Sequence, residues 1–181
     1  MNRIAIPTTE QTPVASLPLL DAVQRQLGVT PNLMKLIGNS PSALQGYLSL
    51  SGALGKGAIG AKTGERIALA IAEINACNYC LSAHTYLGKN VAKLDDTEIA
   101  ANRGGTSTDA KADAAVRFAA KVALARGHVS DVDVNAVKSA GYSNAEVIEI
   151  VLHVALNTLT NYVNEVAQTE IDFPVVSALA K

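Results

Sequence analysis

The chain has 181 residues, 49% of them hydrophobic and 17% charged, with a formal net charge of −1. That length suits one domain, and the near-neutral balance excludes a surface steered toward nucleic acid or anionic lipid. Its longest uniformly apolar run, Ile67 to Ala72, falls far short of the roughly 20 residues that cross a bilayer, so no membrane segment is expected.

Residues 1–13, with Pro7, Pro13 and the run Thr8-Thr-Glu-Gln-Thr12, read as an extended arm. A single helical domain is expected over 14–174 and a short tail over 175–181. Leu17 to Leu27 has helical spacing and stops at Gly28. Thr30 reads as the N-cap of the next helix, with Pro31 in its first position. Ser40-Pro41 repeats that signature and opens a helix through Leu50, ended by glycines at 52, 55, 57 and 60. Thr63 N-caps the central segment, which fades near Gly88. Asp96-Thr97-Glu98 starts a short helix that stops at Gly104-Gly105. Thr108-Asp109 caps a long one through Ala125, Ser130 caps Asp131 to Ala140, and Ser143 opens an apolar helix over Ala145 to Ala167. Pro174 closes the order. No run alternates at period two, and none is rich enough in β-branched residues to demand a sheet. The expected fold class is all-α.

Two features bear on architecture. Thr63-Gly-Glu-Arg-Ile-Ala-Leu-Ala-Ile and Ser143-Asn-Ala-Glu-Val-Ile-Glu-Ile-Val share cap, acid and apolar pattern. Matching Glu65 with Glu146 sets Thr158 and Asn161 opposite Cys77 and Cys80, the mark of an internally duplicated helical core. Coincidence between helix pairs accounts for it nearly as well. The apolar surplus over an ordinary charged share of about 25% has to be covered, which points to a homo-oligomer.

Chemistry concentrates in one segment. The only two cysteines, Cys77 and Cys80, stand at Cys-x-x-Cys spacing, with His84 four residues on and Glu65 and Glu73 upstream. Two such thiols can close a disulfide, and an acid and an imidazole can manage the proton that leaves a thiol before it attacks. On one continuous helix, Glu73, Cys77, Cys80 and His84 fall within roughly a 60° arc. Glu65 would lie two turns earlier and about 80° from Glu73, reaching the thiols only if the helix breaks near Asn75. Ideal geometry therefore favours Glu73 as the partner acid. Zinc would need a second ligand pair, and His128 and His153 are far along the chain, so no metal site is expected. A thioredoxin-type site would need strands. Two buried, inert cysteines are the plain alternative. His128 reads as a loop residue, His153 as a satisfied core or interface histidine, and Asn161 and Tyr162 as interface residues. The N-terminal sequence has no apolar core of a signal peptide, so the expected location is cytoplasmic, where such pairs are usually catalytic or redox-sensing.

The pattern Glu65-x11-Cys77-x2-Cys80-x3-His84, with Asn75 and Tyr79 around the thiols, resembles the AhpD-like alkylhydroperoxidase branch of the carboxymuconolactone decarboxylase superfamily. Gly28-Val-Thr-Pro-Asn-Leu-Met34 and the stretch from Ala155 to Pro174 extend the likeness to its peroxidase-related members over residues 28–174. The resemblance implies an all-helical trimer or hexamer without a bound cofactor. It implies that Cys80 attacks the O–O bond of an organic hydroperoxide and that Cys77 resolves the sulfenic acid as a disulfide. Glu65 would act as base with help from His84. An external dithiol, such as a lipoyl group on a carrier protein, would regenerate the pair. Here the resemblance and the helical wheel disagree. A bend before Cys77 would decide for Glu65 and set the thiols at a helix N-terminus, where thiolates are stabilised; Glu73 would then be a supporting or surface acid. Tyr79 stands where better-studied relatives can carry a histidine. Its hydroxyl can bond a sulfur or water but is a poorer proton shuttle near neutral pH. The leading expectation is a thiol peroxidase. The alternatives are a thiol–disulfide redox partner or sensor, the decarboxylase or lactone chemistry of branches lacking the dithiol, and a structural helical oligomer.

Overall fold

In the structure, a computed structural model describing residues 3–179, the chain forms nine α-helices, a short 3-10 helix at Val14–Ser16 and no strand among those residues. They are α1 (Leu17–Leu27), α2 (Asn32–Ile37), α3 (Pro41–Leu54), α4 (Gly60–Ile74), α5 (Asn78–Asn90), α6 (Asp96–Arg103), α7 (Ala110–Leu124), α8 (Asp131–Ser139) and α9 (Asn144–Ala167). The all-α expectation holds. The outer ends of the expected arm and tail, residues 1–2 and 180–181, lie outside the described residues.

Helix α4 is the axis of the fold. Ile67 through Ala72 are buried on every side, as a helix apolar all round must be, and α5, α6, α7 and α9 pack around it. Ile67 and Ile71 face a core with Ala115, Phe118, Val137 and Ile150 from α7, α8 and α9. Ala72 faces a second core that holds Leu33, Met34, Leu44 and both cysteines. The thiols therefore sit inside an apolar layer, at the end of α4 nearest α1–α3.

The central charge of the fold is also buried. Arg66 Nε lies 2.6 Å from Glu98 Oε1, tying α4 to α6. Glu98 also accepts from Asn102, from the Ser107 hydroxyl and from the Thr108 backbone and hydroxyl. Burial resists its charge, but these donors hold its carboxyl well below the ordinary range. Because the folded value is depressed, this contribution is complete above the unfolded carboxylate pKa and fades as pH falls below about 4. Glu98→Ala leaves Arg66 buried and unpaired, so a loss of about 3–5 kcal/mol is expected. Urea unfolding should show a lower midpoint at an unchanged slope.

Element boundaries differ from the expected ones where tertiary packing outweighs local signals. Helix α3 runs through Gly52 to Leu54, since the roughly 1 kcal/mol cost of one helical glycine is offset by burying Leu54 in the core. Helix α4 begins at Gly60, three residues before Thr63. Pro31, not Thr30, caps α2, and the Asn32 N–H is satisfied by Asp172 from far along the chain. Ser130 and Ser143 form the reciprocal capping boxes that open α8 and α9. The two-copy reading fails in its detail: α9 is one unbroken helix, whereas the segment matched to it is split into α4 and α5.

Residues 175–179 are not a free tail. The Val176 N–H donates to Ser82, the Ala178 N–H to Asn78 and the Leu179 N–H to Glu73, so residues 173–179 lie as a strap across α5. The outer face of α9 exposes Ile148, Leu152, Ala155, Leu159, Tyr162 and Val166. Their spacing alternates four and three, the pattern of an apolar seam that packs on another helix.

Candidate functional site

The chain breaks at Asn75. That residue ends α4, Ala76 takes a left-handed conformation (φ 53°), and Cys77 is extended and becomes the N-cap of α5. Asn75 is fixed in this turn by donating from Nδ2 to Asn161 Oδ1 at 2.9 Å. The break corrects the single-helix wheel. It carries α5 back beside α4, so that Glu65 Oε2 lies 2.9 Å from His84 Nδ1. Glu73 points elsewhere: its carboxylate pairs with Arg103 at 2.7 Å and accepts from the Leu179 N–H. Glu73 thus anchors α6 and the strap rather than touching a thiol.

Cys77 Sγ donates toward Cys80 Sγ at 2.7 Å, and the Cys80 N–H points at Cys77 Sγ. Both sulfurs are buried and unbridged. Their surroundings divide them. Cys80 receives the Cys77 S–H, the charge of His84 and the amides of Asn164 (Nδ2 at 3.2 Å) and Asn161. Against the opposing effect of burial, these bring its pKa down to about 7. Cys77, which donates to that thiolate from an apolar site, is pushed up and stays a thiol. Burial disfavours a charged His84, but the charge and hydrogen bond of Glu65, together with Cys80, outweigh it and raise the imidazole pKa. Positions at the first turn of α5 add the helix dipole in favour of the thiolate. Glu65 is thus bonded to His84, whose charge acts on Cys80, and the Cys77 thiol is held against Cys80.

Tyr79 does not offer its hydroxyl to a sulfur. It accepts from the Leu33 N–H at 3.1 Å and donates to Asp172 at 2.8 Å, and burial pushes its pKa up. Its ring meets Phe173 edge-on at 5.8 Å. Tyr79 therefore ties α2, α5 and the strap together beside the thiols, a positioning role in place of the expected one. Asn161, expected at an interface, is fully buried at the site, whereas Tyr162 is exposed. His128 lies in the loop before α8, as expected.

A cavity of about 310 Å³ opens onto this constellation. Cys80, His84, Glu65 and Tyr79 line it, and Cys77 does not. The rest of its wall is mainly apolar, with Leu27, Met34, Leu48, Leu156 and Phe173 among the contributors. No group of three or more His, Cys, Asp or Glu side chains suited to a metal occurs among the described residues. Sequence reasoning missed Asn164 and Asp172. For Asn164 a signal existed: Asn157, Thr160, Asn161 and Asn164 recur at helical spacing within an apolar helix, marking a buried polar stripe rather than a surface.

Residues 41–125, from α3 to the end of α7, match the carboxymuconolactone decarboxylase family. No curated protein matches the chain. Among solved structures, a peroxidase-related protein with an alkylhydroperoxidase AhpD core from Ralstonia eutropha JMP134 superposes with a TM-score of 0.83. It is 23% identical, covering 94% of this chain and 92% of that one. A peroxidase-related protein from Silicibacter sp. TM1040 gives 0.80 at 21% identity, covering 93% and 89%. The debrominase Bmp8, in complex with 2,3,4-tribromopyrrole, gives 0.75 at 20% identity, covering 94% and 91%.

Proposed function

We propose a thiol-dependent peroxidase that reduces organic hydroperoxides, starting from the match of residues 41–125 to the carboxymuconolactone decarboxylase family and the AhpD-like helical fold of the whole. A fold that also carries a debrominase does not fix the chemistry, so the reading rests on the site. The observation that carries it is the asymmetry of the two sulfurs: Cys80, whose pKa its neighbours bring down to about 7, lines the cavity, while Cys77, whose pKa is pushed up, does not.

The Cys80 thiolate attacks one peroxide oxygen, forming an S–O bond as the O–O bond breaks and the alkoxide leaves. His84, held protonated by Glu65, supplies the proton that makes it an alcohol. Cys77 then displaces water from the sulfenic acid, closing the disulfide. The sum is one hydroperoxide and two thiols converted to alcohol, water and one disulfide. An external dithiol reopens the pair. A lipoyl arm suits this step because both sulfurs are buried and a slender dithiol reaches them where a bulky protein dithiol does not. That burial favours the peroxidase over a general thiol–disulfide partner. The seam on α9 is the face through which the protein would assemble as a homo-oligomer.

The direct test is steady-state consumption of cumene hydroperoxide with dihydrolipoamide as sole reductant. Turnover proportional to protein is expected; stoichiometric oxidation followed by arrest in excess dithiol would contradict the enzyme reading.

A further inference from the structure

His153 lines the cavity and takes no part in the mechanism above. Its side chain is about nine-tenths buried, and its Nε2 has no hydrogen-bond partner among the described residues. The satisfied histidine expected from sequence is therefore not what the structure contains. An unpaired buried nitrogen is costly, and such groups in native folds call for a reason. The imidazole is seated against Gly64, where an added Cβ would come within 2.9 Å of Cε1. Only a residue without a side chain at 64 leaves the ring this place.

Position along α9 sets the distance from the chemistry. Asn164 touches Cys80, and His153 lies eleven residues earlier. Eleven residues make three turns, so the two share nearly one face and are about 16 Å apart along the axis. Asn157 and Thr160 line the cavity between them. Their donor groups are already spent on backbone carbonyls of α9. The cavity is thus a mostly apolar passage with a redox end at Cys80 and a second polar end at His153.

Charge narrows what can fill it. No Lys or Arg lines the cavity among the described residues, and Glu65 does. Burial keeps the His153 pKa below its ordinary value even with Glu149 and Glu65 nearby, so the ring is neutral, with one donor and one acceptor nitrogen. An anionic ligand would meet the Glu65 carboxylate and the Cys80 sulfur, and the one imidazole able to offset them, His84, is already paired with Glu65 at 2.9 Å.

Resting on the peroxidase reading, we propose that His153 is a specificity-determining residue that hydrogen-bonds a distal hydroxyl or carbonyl of the substrate. The preferred class is an elongated, uncharged hydroperoxide with a second polar group remote from the O–O bond. Simple alkyl hydroperoxides leave Nε2 unpaired, and carboxylate-bearing ones are disfavoured.

Binding of product-like alcohols to the dithiol-reduced protein tests this without turnover. Calorimetry would compare 1-octanol, 1,8-octanediol and 8-hydroxyoctanoate, long enough to reach along the cavity, on wild type, His153→Leu and His153→Gln. The diol-to-octanol affinity ratio should fall about tenfold in His153→Leu. It should recover in part in His153→Gln, and the carboxylate should bind wild type weakest of the three. A ratio unchanged in His153→Leu, a carboxylate that binds best, or no binding of any alcohol to wild type would overturn the proposal. If His153→Leu does not fold, His153→Gln carries the test, with an intermediate ratio expected and an unchanged one contradicting. Hydroperoxide-driven thiol loss in the same preparations separates this outcome from failure of the peroxidase reading, because His153 touches neither sulfur.

Discussion

Replacing Cys80 with serine is expected to reduce hydroperoxide consumption to the uncatalysed level, while Cys77→Ser retains a single oxidation per chain. The asymmetry follows from the environments of the two sulfurs. A serine hydroxyl at 80 keeps the Asn164 and Asn161 amides nearby but is not ionised near neutral pH. A serine at 77 removes the resolving thiol and the S–H that helps hold Cys80 ionised. The first oxidation should then be slower but complete, and a sulfenic-acid trap such as dimedone should label one site per chain. Labelling at 77 in Cys80→Ser, or full turnover in that variant, would reverse the roles.

The second large effect concerns the acid. In wild type, the alkylation rate of Cys80 by iodoacetamide should rise with pH around a midpoint of about 7, against an ordinary 9.0. Glu65→Gln removes the charge that holds His84 protonated. Burial then favours the neutral ring, and the thiolate loses its neighbouring cation. The midpoint should move up toward the ordinary value, with alkylation below it slowed about tenfold for each pH unit of movement. Glu73→Gln should leave the midpoint in place. It breaks the pair with Arg103 and should instead loosen the strap, seen as faster proteolysis near residue 177. A larger midpoint change in Glu73→Gln than in Glu65→Gln would restore the single-helix geometry.

These two carboxylates also mark how far the sequence could be read. Most helices were legible because caps and stops were present at their ends: Ser130, Ser143 and Asp109 open helices where such residues do. The break after Asn75 was not, because its left-handed residue is Ala76. Alanine is among the best helix formers and carries no sign of positive φ. Only the family likeness pointed to Glu65, through a bend that no local residue announces. Helix α3 passing through Gly52 shows the same limit, since burial of Leu54 is a property of the fold. The roles of Tyr79 and His153 depend on Asp172 and Gly64, partners far away in sequence. Composition and periodicity cannot pair residues at such separations. The two cysteines and His84 were visible as a group because cysteine and histidine are rare in this chain; Asn164 was marked only by the polar stripe it shares with Asn157, Thr160 and Asn161.

Intact mass and free-thiol count of the reduced protein, before and after one equivalent of cumene hydroperoxide, test the central claim most directly. A loss of two thiols and about two mass units per chain, absent in Cys80→Ser, is the predicted result. Two unchanged thiols at the end of the reaction would contradict it.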